Sequence, residues 1–519
     1  MSITLEQLIK NRQDLIEAHR KNNFTDGIHA LLTDLYPDTA HFIYELLQNA
    51  EDMKATVVRF ILDKNSIDFE HNGTKRSFNI ADIDAITNIG HNSQKKDDPT
   101  SIGKFGVGFK AVFAYTSTPI IHSGDYHFKI KDYFVPEFRG VEKVSTVDND
   151  GVAWTKFSFP FNNSKKVATD AFDECLDGLK ALDSSAVLFL QNIKKIEYML
   201  PSGDLGYVEL VDNGKYHVTV TYQKPDESKE YKSRWLRFDR MIDITDDQGN
   251  PKTLPTAIAF SLEYDEKNKK DYIAPVKGGG RPFIYFPAEK EHSGLRFHIN
   301  APFASTVARD SVRNCADNVK LIRAISQLIS DSLPEIKAQG LMNHSFFEVL
   351  PHNKDNLSVF YQYVLDYVYS AFQKNDYLPT KNGGYTSAKN ALAGPSAISN
   401  VLKEADMQAL FGIEKTWISN AAQRNPNADN FIQSLDIQAF TFKEFARIFE
   451  DSRRTRTEQL LQTRQNDWLK RFYDLCAYTC KVLDDVTSSG FVQNLKQSEV
   501  IRSTKGEMYR SSDIYILPV

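Results

Sequence analysis

Gly103-Lys-Phe-Gly-Val-Gly-Phe-Lys110 is the stretch that most restricts what this chain can become. Glycines spaced Gly-x-x-Gly-x-Gly let the backbone approach an anion, because no Cβ stands in the way. The apolar, helix-compatible run that follows (Phe109, Ala111, Val112, Phe113) would start a helix whose first free N–H groups point at the same anion. Such a loop is built to hold phosphate.

Upstream, Glu45-Leu-Leu-Gln-Asn-Ala-Glu-Asp52 supplies a second half. On a helix Glu45, Asn49 and Asp52 are spaced i, i+4, i+7 and share one stripe. Phe42, Ile43, Leu46, Leu47, Ala50 and Met53 form the adjoining face, which would pack on a sheet. Alone, the stripe is the polar edge of an amphipathic helix. Beside a phosphate loop it reads as chemistry, since a carboxylate can polarise water and an amide oxygen can hold Mg2+ against phosphate oxygens.

With both boxes in view, residues 28–160 resemble the ATP-binding domain shared by gyrase, the large heat-shock chaperone, histidine kinases and MutL, the GHKL superfamily. Within it, His41-Phe-Ile-Tyr-Glu-Leu-Leu-Gln-Asn-Ala-Glu-Asp52 looks most like the sacsin-type branch. The resemblance implies ATP and Mg2+ as ligands. It makes Glu45 the general base, Asn49 the Mg2+ ligand and Asp52 a polar residue at the ribose or base end. Gly103, Lys104, Phe105, Gly106, Val107, Gly108 and Phe109 would surround the phosphates.

His71-Asn-Gly73 stands where the superfamily carries an Asp-x-Gly box that recognises adenine. An aspartate there accepts from the adenine amino group; a neutral imidazole can accept as well, once a neighbour sets its tautomer. Either His71 or Glu70 takes over the contact, or base selectivity is relaxed. The polar segment from Asn88 to Ser101 matches the family's ATP lid, with Asn88 and Lys95 or Lys96 approaching ribose or phosphate. Thr155 matches a strand threonine whose hydroxyl reaches the adenine end. Phe286-Pro-Ala-Glu289 and the run Asn300 to Asp310 are close to sacsin-type sequence in the transducer domain. A transducer implies a cation at the γ-phosphate, and Arg309 and Lys277 are the candidates.

The expected fold class is α+β: a GHKL (Bergerat) ATP-binding α/β sandwich with N-terminal helices over residues 1–165, a transducer-like α/β domain over 166–338, and a mainly helical C-terminal region over 339–519. Strands are expected at 56–62 and 67–70, at 119–122, 126–130 and 152–159, and at 186–190, 195–200, 216–222, 258–262, 283–286 and 295–299. Short helices are expected at 80–86, and an amphipathic one from Val319 to Ile336. Leu378 to Tyr385 and Ile501 to Tyr509 echo one another as strand, polar turn, strand.

A length of 519 residues calls for several domains, and 41% hydrophobic with 25% charged residues is ordinary for a globular chain. The net charge of −5 creates no basic field, so charge alone implies no nucleic acid. The basic stretch Arg453, Arg454, Arg456, Arg464, Lys470 and Arg471 near Trp468 and Phe472 leaves that question open, although a solvated helix face is the simpler reading. Four scattered cysteines (Cys175, Cys315, Cys476, Cys480) fit a reduced, cytoplasmic setting. No apolar run is long enough to span a membrane. The strand-like run from Tyr515 to Val519, with no polar tail, fits a piece of a longer protein.

The implied function is a Mg2+-dependent, ATP-hydrolysing conformational switch whose N-terminal domains pair in a homodimer. It would be the ATPase component of a larger machine, such as a bacterial anti-phage defence system. A sacsin-like chaperone ATPase and a non-hydrolysing nucleotide sensor or scaffold are the alternatives. No nuclease or helicase motif is recognisable, so a protein partner or effector is expected.

Overall fold

The computed structural model describes residues 4–22, 41–73, 77–88, 108–245, 249–306, 311–420 and 425–514. The chain divides into two compact units, Met1–Ile329 with Asn356–Val364, and Ser330–Asp355 with Leu365–Val519. The fold is mixed α/β with a large sheet and many helices, as the sequence led us to expect.

In the first unit, α1 (Leu5–Lys21) opens on a Thr4 capping box, with Leu8 and Ile16 buried. Helix α2 (His41–Asp52) buries Phe42, Ile43, Leu46, Leu47 and Ala50, the face read from the sequence. Strands β1 (Val57–Asp63) and β2 (Ser66–His71) form the expected antiparallel hairpin. Helix α3 spans Ile80–Ile86, capped by Asn79. The apolar run after the glycine box is a 3₁₀ helix, Gly108–Ala114, instead of an α-helix.

Strands β3 (Ile120–Ser123), β4 (Tyr126–Lys131), β5 (Val135–Glu137) and β6 (Thr155–Pro160) precede helix α4 (Ala168–Lys180). Then come β7 (Lys195–Met199), β8 (Leu205–Asp212), β9 (His217–Gln223), β10 (Glu230–Thr245), β11 (Pro251–Asp265), β12 (Lys270–Ala274), β13 (Pro282–Ile284), β14 (Phe286–Pro287) and β15 (His298–Asn300). All join one 15-stranded sheet, ordered β14-β13-β15-β11-β10-β9-β8-β7-β1-β2-β6-β3-β4-β5, with β12 on β11. Most neighbours are antiparallel; β7 runs parallel to β1, pairing Val57 with Lys195 through Ile61 with Met199. That pair carries the sheet without a break past residue 165.

Two expected strands change form. Residues 186–190 are a 3₁₀ turn and its exit, not a strand: Asp183 caps Ser185, and Val187, Leu188, Phe189 and Leu190 are buried as an irregular plug. A short apolar run marks burial and does not distinguish strand from turn. The segment 283–286 is two strands, β13 folding back onto β14 around Tyr285, which takes a φ of 69°. By contrast, β11 is far longer than the expected 258–262, and β10 lies where no strand was expected.

Helix α5 (Ala316–Ala338) covers the predicted amphipathic segment and buries Leu321, Ile322, Ile325, Leu328, Ile329 and Leu333. The second unit is mainly helical with small sheets. Its core gathers Trp417, Phe440, Phe445, Phe449, Phe472 and Phe491. The echo seen in the sequence is structural. Strands β16 (Leu378–Pro379) and β17 (Tyr385–Thr386) pair Leu378 with Thr386, and β18 (Ile501–Arg502) and β19 (Met508–Tyr509) pair Ile501 with Tyr509. Both turns place a glycine at positive φ, Gly383 at 86° and Gly506 at 88°.

One carboxylate anchors α2. Glu51 is buried, and its Oε1 accepts from the backbone N–H of Gln191 (2.8 Å) and Asn192 (2.9 Å) and from Asn192 Nδ2 (2.9 Å). Its Oε2 accepts from Ile193 N–H at 2.9 Å. Replacing Glu51 with alanine would strip three backbone donors of their partner. We expect Glu51→Ala to cost about 3 kcal/mol, read as an earlier urea midpoint; an unchanged midpoint would show that water satisfies these donors equally well.

Candidate active site

Glycine 108 and Glu45 meet. A Cβ on Gly108 would overlap Glu45 Oε2 and lie 3.0 Å from Cδ, so the last glycine of the loop packs against the Glu45 carboxylate of α2. Glu45 is 4% exposed on the face of α2 that packs against the 3₁₀ helix. One turn on, Asn49 is half-buried, and no described residue takes up its side-chain amide. Asp52, at the end of α2, is half-buried. Beyond it, a Cβ on Gly73 would lie 3.2 Å from Met53 Cβ and 2.6 Å from His71 Nδ1. The glycines at both ends are cradles that a side chain would fill. From Glu45 to Met53 the helix rises about 12 Å, comparable with the reach of an extended nucleoside triphosphate.

His71 is buried at 3% exposure, and desolvation pushes its imidazole down to about 4. Its ring stacks on Phe157 with centroids 5.9 Å apart and lies 5.9 Å from Phe69. Nδ1 accepts from the Gly73 N–H at 3.1 Å. Asn72 pins the same loop to the start of β1, accepting from Thr56 N–H (2.9 Å) and Val57 N–H (3.0 Å). Thr155 sits opposite His71 across β2 and β6, and its hydroxyl bonds Ser123 Oγ at 2.8 Å.

Period-two alternation sends Glu70 to the other face of the sheet from His71. There it meets Arg59 and Lys156, each at 3.4 Å. Asn88 is half-buried just after α3. Phe109 packs against Phe157 and Phe159. Lys277 is 95% exposed on an open turn, 4.0 Å from Glu263, and no described contact joins it to Glu45 or Gly108. Lys95, Lys96, Gly103, Lys104, Phe105, Gly106, Val107 and Arg309 lie outside the described residues.

Three contributors carried no signal that we read: Glu51, Asn72 and Lys110. Glu51 lies between Ala50 and Asp52, outside the stripe of Glu45, Asn49 and Asp52. Lys110 had a visible clue, a lone cation inside Phe109–Phe113. It is 1% exposed and donates to the carbonyls of Ile86 (2.9 Å) and Tyr133 (2.6 Å), with the Phe134 ring 5.0 Å away. Burial, with a contribution from Arg12, pushes its ammonium down from 10.5 to about 7. Arg12 is itself held by Asp84 of α3 at 2.5 Å.

Known proteins resemble this chain in part. Residues 21–156 match the Sacsin domain family. The protein NO VEIN of Arabidopsis thaliana is 39% identical over 315 residues, covering 55% of this chain and 11% of that protein. Sacsin of Homo sapiens is 36% identical over 374 residues, covering 54% of this chain and 8% of that protein. The chain is sacsin-like. It therefore spans only about a tenth of the length of these relatives. Among solved structures, the topoisomerase IV ATP-binding domain of Francisella tularensis, in complex with a small-molecule inhibitor, aligns with 33% of this chain and 88% of its own at 19% identity and a TM-score of 0.20. Among the described residues no helix is long and apolar enough to cross a membrane.

Two measurements test the geometry without any ligand. Gly108→Ala should lower stability by about 1–3 kcal/mol, the usual cost of overpacking. Adding Glu45→Ala should restore much of it; strictly additive losses would place the carboxylate elsewhere. For Lys110, the unfolded chain keeps its proton to near 10.5 while the folded one releases it above about 7. Between those values the unfolded state binds more protons, so stability rises with pH. The unfolding free energy of wild type relative to Lys110→Met should climb across that window, and a flat difference would mean the buried lysine stays charged.

Proposed function

We propose that this sacsin-like chain is a Mg2+-dependent ATP-binding and hydrolysing switch. The observation that carries the reading is the Glu45 carboxylate packed against Gly108, with the half-buried Asn49 one turn along the same helix. A hydrolase needs a base within reach of water at the terminal phosphate, and Glu45 has that place. Asn49 is the residue that would hold Mg2+, whose charge, when bound, offsets that of the phosphates. Gly108, with Gly103 and Gly106, would let backbone N–H groups cradle phosphate. Lys104, Phe105, Val107 and Phe109 line the same loop; Asp52, Gly73, His71 and Thr155 form the base and ribose end, and Asn88 with Lys95 belongs to the lid.

For the cation at the terminal phosphate we keep Arg309 and Lys277. The solvent position of Lys277 favours turnover that is slow until a partner or a second copy orders its loop. Residues 1–165 would bind nucleotide, 166–338 would transmit its state, and 339–519 would meet partners. Pairing through the N-terminal unit follows the same analogy. The larger setting is an ATPase component of a bigger assembly, an anti-phage defence system in our preferred reading and a chaperone in the second.

The test is phosphate release from ATP with Mg2+. Wild type should turn over, and Glu45→Ala should lose at least about a hundredfold in rate, the scale of a general base, while still binding ATP. Equal turnover by the variant would remove Glu45 from the chemistry.

A further inference from the structure

The HNG loop decides its own hydrogen-bond polarity. A backbone N–H can only donate, so the Gly73 N–H at 3.1 Å makes His71 Nδ1 an acceptor. The ring is buried between Phe157 and Phe69, where a charged imidazolium is disfavoured. A neutral imidazole with an unprotonated Nδ1 must carry its proton on Nε2. Among the described residues Nε2 has no hydrogen-bond partner. Phe157 stacks on the ring, and the hydroxyl of Thr155, opposite it, bonds Ser123 Oγ. Glu70, next to His71 in the chain, is turned to the far face with Arg59 and Lys156.

From this geometry we infer that His71 is a specificity-determining residue that donates, through Nε2–H, to an acceptor atom on the edge of the bound base. The inference rests on the nucleotide-binding reading above. An aspartate in this place would select an amino group. A donor does the reverse: it meets O6 of hypoxanthine or guanine directly, and it leaves the 6-amino group of adenine without a reward, with only a ring nitrogen to receive it. The substrate class is thus a purine nucleoside triphosphate read by an acceptor, with 6-oxopurines bound at least as tightly as ATP.

The test compares binding of ATP and ITP with Mg2+, by calorimetry, to wild type, His71→Asp and His71→Phe, each first checked for cooperative unfolding. Wild type should bind ITP at least as tightly as ATP. His71→Asp should swing the ratio of the two affinities towards ATP by about tenfold or more, the scale of a mispaired buried polar group. His71→Phe, which keeps the stacking and lacks the donor, should erase the ITP advantage even where the aspartate variant fails to fold. Tenfold tighter binding of ATP by wild type, or a ratio indifferent to both substitutions, overturns the inference. Binding that follows this pattern without turnover would refute hydrolysis and leave the inference standing; binding of neither nucleotide would overturn both.

Discussion

Everything at the site depends on where α2 lies, and Glu51 decides that. Its carboxylate gathers the N–H groups of Gln191, Asn192 and Ile193, immediately before β7. The Lys194 N–H then bonds Thr56 O at 2.8 Å, and the parallel register of β1 and β7 follows. One buried charge, matched by four donors, therefore joins the end of α2 to the seam between the two halves of the sheet. A buried carboxylate is tolerable only when hydrogen-bonded to capacity, and this one is. Helix α2 cannot slide without leaving those donors unpaired, so the stripe of Glu45, Asn49 and Asp52 keeps a fixed height above the sheet.

The same helix carries a second buried glutamate, and the contrast between them is instructive. Glu51 serves structure, its oxygens turned to backbone N–H groups. Glu45 faces a glycine at which any side chain would collide with it. Helical periodicity assigns both to neighbouring faces and cannot tell them apart, because the difference lies in residues more than a hundred positions away for Glu51 and about sixty away for Glu45. This explains why Glu45 was legible as a site candidate and Glu51 as an anchor was not. Glu45 belonged to a pattern whose partner motif stood in the chain; the partners of Glu51 are main-chain groups of Gln191 to Ile193, which no side-chain pattern announces. Lys110 is a similar case: its acceptors are the carbonyls of Ile86 and Tyr133.

The hairpin of β1 and β2, the strands β3, β4 and β6, helices α2 and α3 and the amphipathic α5 were all readable from local periodicity. What local periodicity could not separate was burial from conformation. Val187 to Leu190 is as apolar as a core strand, yet Asp183 caps a turn there and the run fills the core without a ladder. The span from Phe283 to Phe286 reverses at Tyr285, a residue whose positive φ nothing in its type foretells. In the second unit the reverse holds: the glycine-bearing turns at Gly383 and Gly506 showed through because positive φ and glycine go together.

The HNG loop shows how one backbone hydrogen bond changes the meaning of a substitution. Read as a sequence, histidine for aspartate looked like one acceptor in place of another, with the tautomer left open. The closing of the loop removes that freedom. Asn72 spends its side chain on Thr56 and Val57, which draws the chain back over β1 and brings the Gly73 N–H onto the ring. Gly73 has to be glycine for this, since a Cβ would sit 2.6 Å from Nδ1. The hydrogen-bond polarity of this loop is thus set by three consecutive residues acting together, with Asn72 placing the loop, Gly73 donating, and His71 Nδ1 accepting. A single change at Asn72 would loosen the loop and return His71 to the ambiguity it has on paper.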